Sequence, residues 1–204
     1  MEFILSLIEK GGFVMYPLLL ISLYSWYIIV ERALNLRSSN YLPGNLKELK
    51  LLIQKGDYEG ALKLTELSEH PFSKAVRITL MEFLKGRKEK GYLLQLMEGE
   101  LASIVPKVEK NLIILSVIAS VAPLLGLFGT ITGLIKVFSA FALTQDEQAL
   151  NLLAKGISEA LVAAATGLAV AIPSLLAYWI FKAIGNNILD KVSEEAKEIV
   201  NSLE

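Results

Sequence analysis

Two short stretches of this 204-residue chain join apolar length to side chains that can handle a proton. In APLLGLFGTITGLIKVF, residues 122–138, Gly126, Thr130, Gly133 and Val137 fall on one narrow helical stripe, and Gly129 forms a GxxxG pair with Gly133. In GISEALVAAATGLAVAIP, residues 156–173, Glu159 and Thr166 are seven apart and share a face, among the small residues Ala160, Ala163, Ala164 and Gly167. A threonine hydroxyl donates and accepts, and a carboxylate carries charge. Inside hydrocarbon such groups are costly and therefore point to function. Two small-residue helices with hydroxyls can line a common path. The alternative is plain packing, in which each hydroxyl bonds the carbonyl one turn back in its own helix. Glu159, the one acidic residue within the apolar stretches 13–30, 112–143 and 156–181, then faces protein or water, or is a solvated glutamate near the outer end of its helix.

The elements that hold these residues follow from composition. Hydrophobic residues make up 53% of the chain, mean hydropathy is +0.51 and there is no cysteine, which points to a membrane protein without thiol chemistry. Formal charge is only -1, so no overall field favours nucleic acid. Three segments, near Phe13–Val30, Leu112–Leu143 and Gly156–Phe181, are long enough to cross about 30 Å of hydrocarbon. The expected fold is an all-α membrane protein: three transmembrane helices, a helical cytoplasmic domain, and long helices extending from the membrane. Residues 1–12 read as a periplasmic amphipathic segment ended by Gly11 and Gly12, without the basic start or cleavage pair of a removable signal. Transmembrane helices are expected over 13–32, 111–143 and 156–182, joined by a cytoplasmic domain over 33–110 and a periplasmic loop over 144–155. A cytoplasmic helix over 183–204 follows. Orientation comes from 13 of the 20 lysines and arginines lying between Ala33 and Lys110, the side that stays in the cytoplasm.

Within the cytoplasmic segment, Gly56-Asp57 breaks a helical hairpin, while Pro71 opens and Gly86 closes the next helix. From Lys88 no strong stop precedes the second span, so one long helix is expected there, bent at Pro106. Pro123 and Pro173 bend the spans where packing and water can satisfy the freed carbonyls. Lys136 either snorkels to the outer surface or pairs with Glu159, since both lie toward the outer ends of antiparallel helices. No HExxH, phosphate loop, nucleophile elbow or Cys/His cluster is present, so neither an enzyme nor a cofactor is expected. His70, the single histidine, reads as a solvated loop residue.

Three ordered motifs carry a resemblance across nearly the whole chain: GGFVMYPLLLISLYSWYIIVERAL, APLLGLFGTITGLIKVF and GISEALVAAATGLAVAIPSLLAYWIF. Together with the large cytoplasmic insertion they resemble the MotA/TolQ/ExbB proton-channel family, closest to its ExbB/TolQ branch. The resemblance implies a bacterial inner-membrane motor subunit. Five copies would surround the membrane helices of two copies of a single-span, aspartate-bearing partner resembling ExbD or TolR and drive a TonB- or TolA-like protein. This chain has no Asp within its spans, so the group that titrates mid-membrane would come from the partner. The family motif carries over to Thr130 as pore threonine and to Glu159. The second pore threonine falls on Ala164, and Thr166, two positions and about 200° away, is not a simple substitute. ERAL at 31–34 marks the inner end of the first span, where Glu31 or Arg32 either pairs with a neighbouring chain or forms a plain interfacial charge pair. A flagellar MotA-like stator subunit and a non-conducting scaffold are the alternative readings.

Overall fold

The computed structural model describes residues 11–68, 70–141 and 147–203. Residues 1–10 of the expected amphipathic segment and 144–146 of the expected loop lie outside them. Among the described residues there is helix and no strand. In chain order the helices are α1 Met15–Asn35, α2 Leu46–Gln54, α3 Tyr58–Glu66, α4 Pro71–Leu84, α5 Lys90–Leu101, α6 Val105–Val108, α7 Leu112–Phe141 and α8 Glu147–Asn201. Three of them, α1, α7 and α8, are long and apolar enough to cross a membrane.

The chain divides into two compact units, the first from the described residues of 1–32 and 111–180. Its core is built where α1, α7 and α8 meet, from Val14, Met15, Leu18, Ile118, Ala122, Val170 and Ala171, with Ile21, Ile114, Leu125 and Val162 packed around them. Other large apolar side chains, among them Leu20, Trp26, Phe128 and Trp179, point outward and remain more than half exposed. An aqueous protein does not carry such a continuous apolar exterior, whereas a bilayer favours it.

The second unit holds 33–110 and 181–204, of which 69 and 204 are not described. Gly56, at φ 75°, ends α2, with its N–H on Ile53 O and that of Asp57 on Leu52 O. Asp57 then starts α3 by accepting from Gly60 N at 2.9 Å. His70 is a helix cap rather than a free loop side chain: its Nδ1 accepts from Phe72 N at 3.2 Å, and Pro71 occupies the first turn, where no N–H is needed. Gly86, at φ 92°, closes α4. Phe72, Leu80, Leu93, Met97 and Ile199 are fully buried in this unit. Lys50 lies between Glu195 and Glu198 of α8, at 2.5 Å from the latter. Burial works against its charge, but the hydrogen bonds and fields of the two glutamates outweigh it and hold the Lys50 pKa above its usual 10.5.

Two expectations about helix continuity are corrected. No single helix runs from Lys88 into the second span: α5 stops at Leu101, a 3₁₀ turn covers Ala102–Ile104, and Pro106 stands in the first turn of the short α6. A second break falls at Asn111, whose φ of 61° ends the helical run before α7. Asparagine enters this left-handed region more easily than most residues, so a break needs no glycine. The uninterrupted helix is the third span instead. It begins at Glu147, so residues 147–155 of the expected loop are helical, and it continues through the expected boundary at 182/183 to Asn201. At about 1.5 Å per residue its 55 residues extend roughly 80 Å, far more than one bilayer crossing. Pro173 sits inside it, as Pro123 does inside α7.

A candidate proton path along the second and third spans

Glycine spacing on α7 and alanine spacing on α8 let the two backbones touch. A methyl group placed on Gly126 would stand 3.0 Å from Ala163 O, one on Gly129 would stand 2.6 Å from the Ala163 methyl, and one on Gly133 would stand 3.3 Å from Gly156 O. In the other direction, a methyl on Gly167 would stand 2.6 Å from Ala122 O, and one on Gly156 would overlap the Val137 side chain. Small residues at this spacing exchange side-chain volume for backbone approach, which is how helices associate where water supplies no hydrophobic drive. Ala164 takes part in this packing, its Cα 3.2 Å from the same point on Gly126.

Thr130 lies in that seam, half-buried. Its Oγ1 is 3.1 Å from Gly126 O, one turn back, and 3.2 Å from Ala160 O across the seam, so one hydroxyl hydrogen is shared between two carbonyls. The lone pairs of Oγ1 still accept. Thr166 donates only to Val162 O at 2.8 Å, within its own helix, and Thr132 likewise bonds Phe128 O and Gly129 O. The structure therefore brings Thr130 to the peptide group beside Glu159 and, among the described residues, gives Thr166 no bond across the seam.

Glu159 is held from two sides. Its Oε1 lies 2.9 Å from Lys136 Nζ, with side-chain exposures of 22% for the glutamate and 62% for the lysine. The carboxylate also packs directly over Gly12, at φ 72°, where any side chain would collide with Oε1. A cavity of about 210 Å³ opens beside the pair, lined by Lys136, Val137, Leu152, Lys155, Gly156 and Glu159. Within the pair each charge offsets the other, which lowers the cost of holding either in an apolar span.

Elsewhere in this unit Glu31 and Arg32 pair with each other, Arg32 Nε donating to Glu31 Oε2 at 2.7 Å and Nη2 to Oε1 at 2.6 Å, with Arg32 only 3% exposed. Sequence reasoning missed one polar contact, the 2.7 Å hydrogen bond between Ser25 on α1 and Ser174 on α8, both buried. Ser174 also donates to Val170 O at 2.7 Å, so the bond between the helices is donated by Ser25. The signal available was a serine inside each of two apolar spans, where an unpaired hydroxyl is costly.

The family model for the MotA/TolQ/ExbB proton channel family matches residues 65–194, which contain Thr130, Lys136, Glu159, Thr166 and the small-residue seam. The chain is also similar to two ExbB-like biopolymer transport proteins of Synechocystis sp. One is 29% identical over 202 residues, covering 93% of this chain and 75% of the relative, and the other is 31% identical over 191 residues, covering 93% and 90%. It is 32% identical over 175 residues to the Tol-Pal system protein TolQ of Haemophilus influenzae, covering 77% of this chain and 72% of that protein.

Proposed function

Because this chain belongs to the MotA/TolQ/ExbB proton channel family, we propose that it is an inner-membrane subunit that conducts protons together with a single-span partner. Its large basic segment faces the cytoplasm, its N-terminus the periplasm, and the coupled flow performs work on an envelope protein. Relatives named both ExbB and TolQ support this general role, and a TonB- or TolA-like protein is the class of driven partner it suggests. In this reading several copies, five by likeness to the family, enclose the single membrane helices of two copies of an ExbD- or TolR-like partner whose aspartate carries the proton. The chain's own spans contain no aspartate.

One observation carries the reading: Thr130 Oγ1 is fixed by Gly126 O and Ala160 O, beside Glu159, and keeps free lone pairs. A proton carrier next to this position meets an oriented acceptor rather than a rotating hydroxyl, and preorganised dipoles lose little reorganisation energy when charge arrives. Thr130→Val keeps the shape and deletes the hydroxyl. Reconstituted with the partner in vesicles, that variant should assemble normally and pass protons at least tenfold more slowly than the parent, and parental flux would assign Thr130 to packing alone.

A second reading, a non-conducting scaffold, draws on the same hydroxyls, since the hydrogens of Thr130, Thr132 and Thr166 are all directed at backbone carbonyls. It requires equal proton permeability with and without the partner.

A further inference from the structure

A pocket of about 490 Å³ in the second unit lies outside everything assigned above. Its cationic lining comes from Lys47 and Lys50 of α2 and Lys191 of α8, opposed by Glu195, and the hydroxyl residues Ser38 and Ser39 form another part of its wall. Lys50 is committed to Glu195 and Glu198. Lys47 and Lys191 are exposed and have no hydrogen bond or ion pair among the described residues, although Glu195 is one turn from Lys191 and could have taken it. Two unpaired lysines and two serines thus line one cavity, together with the buried Leu42 and Pro43. Gly44 at the rim has nothing within 4 Å of where a side chain would begin, so the mouth is open.

The place of this pocket along the chain indicates what it meets. The first-span helix α1 ends at Asn35, and Ser38 follows three residues later, at most about 10 Å of chain. Asn40 Nδ2 donates to Asn35 O at 2.8 Å and ties the pocket turn to the last turn of that helix. A cavity lined by unpaired lysines, serines and buried apolar residues, a few residues along the chain from the end of α1, suits a molecule with phosphate at one end and apolar chain at the other.

We propose that this pocket binds the phosphodiester headgroup of an anionic membrane lipid, with Lys47 and Lys191 on the phosphate, Ser38 and Ser39 donating to its oxygens, and the glycerol resting on Leu42 and Pro43. Charge-assisted hydrogen bonds from two ammonium groups supply the attraction. The phosphate oxygens accept from donors that otherwise meet only water. Proton conduction is not part of this inference, so a binding measurement tests it independently of the channel reading.

The test titrates the full-length protein in a neutral detergent with dihexanoyl phosphatidylglycerol, with the corresponding phosphatidylcholine, and with inorganic phosphate, by calorimetry. The expected order is phosphatidylglycerol tightest, with phosphatidylcholine and inorganic phosphate each at least tenfold weaker. At ~1 kcal/mol for each lysine near an anionic headgroup, Lys47→Gln with Lys191→Gln should weaken phosphatidylglycerol about 25-fold, roughly fivefold per charge. Lys47→Arg with Lys191→Arg should retain binding, and Lys197→Gln, an exposed change outside the pocket, should leave it unaltered. If the paired glutamine variant loses its fold by circular dichroism, Lys191→Gln alone carries the test with its fivefold loss. Parental affinity in a folded glutamine variant overturns the proposal. So does inorganic phosphate binding as tightly as the lipid, which would make the pocket a site for a soluble phosphate compound.

Discussion

Replacing Gly167 by alanine is the most direct test of how the second and third spans are held together. The added methyl would stand 2.6 Å from Ala122 O, 3.0 Å from Gly126 Cα and 3.2 Å from Gly126 N, whereas ordinary contact begins at 3.4 Å. All three are backbone atoms, so no side-chain rotation relieves the clash and the helices must part by about 0.8 Å, the difference between 3.4 and 2.6 Å. Carried along the seam, the same displacement stretches the Thr130 Oγ1 to Ala160 O contact from 3.2 Å to about 4 Å, beyond hydrogen bonding. Overpacking costs about 1–3 kcal/mol and an interhelical hydrogen bond in a membrane about 0.6 kcal/mol more. For a chain of this length that corresponds to a melting temperature lowered by about 3–14 °C. Gly99→Ala in α5 is the control: nothing lies within 4 Å of the new methyl, and removing a helical glycine should raise stability by up to about 1 kcal/mol. Differential scanning fluorimetry and partner-dependent proton flux are measured on both variants. If Gly167→Ala melts within 1–2 °C (an order-of-magnitude margin) of the parent and conducts normally, the seam is not closed by backbone contact and the role given to its glycines fails.

The remaining expectations are narrower. Glu159→Gln and Lys136→Met should each lower stability slightly, and the double change should cost less than their sum by about 0.5–1 kcal/mol, the coupling of a half-exposed ion pair; additive losses would show that the 2.9 Å contact carries no energy. Ser25→Ala and Ser174→Ala should each cost about 0.6–1.7 kcal/mol, with the double change no worse than the worse single; a double that equals the sum would refute a shared hydrogen bond. Glu82 has its pKa held below the usual 4.5 by the hydrogen bond from Lys85 and by the charges of Lys85 and Arg87, with desolvation acting the other way. A lowered folded pKa means that its contribution is present above about pH 4.5 and is lost as pH falls through the folded value. Amide protection at the end of α4, taken relative to the intrinsic exchange rate at each pH, should therefore fall on acidification in the parent and change less with pH in Glu82→Gln. The protein should also form a cyclic oligomer in detergent, and a monomer by native mass spectrometry at every concentration would oppose the channel reading.

Legibility in the sequence tracked how local the cause was. Three spans could be read because apolar length is a property of consecutive residues, and Gly126, Gly129 and Gly133 could be read as a packing face because helix periodicity fixes which residues share a side. Lys136 and Glu159 could be paired on paper because antiparallel helices joined by a short connection place their outer ends together. Other features depend on contacts remote in the chain. Asn111 adopts φ 61° with no glycine to announce it, and Gly12 makes room for a carboxylate 147 positions away. Ser25 and Ser174, separated by 149 residues, have no shared periodicity that would pair them. Helix continuity was hard to read for a different reason: the signals that end a helix here are not glycines. Proline in a first turn and a left-handed asparagine ended one helix, whereas nothing comparable occurs in α8 between Pro173 and Asn201.

The seam constrains what one copy can do. Wherever a methyl on Gly126, Gly133 or Gly167 would meet backbone at 2.6–3.3 Å, no space remains for a water, which takes about 30 Å³ in the liquid. Thr130 therefore does not face a channel enclosed between α7 and α8 of a single chain; its bond to Ala160 O closes that route. Any aqueous or carboxylate-bearing path past its remaining lone pairs must be bounded on the far side by another surface. The exterior of these helices is apolar and largely exposed, at Leu127, Phe128 and Ile131 of α7 and Leu161 and Leu168 of α8. Such a surface can bury itself against lipid or against further membrane helices, but it offers a proton no partner of its own. Tight packing leaves no room for a titrating group beside Thr130 within one protomer, and under the proposed reading that group is the aspartate of a second protein.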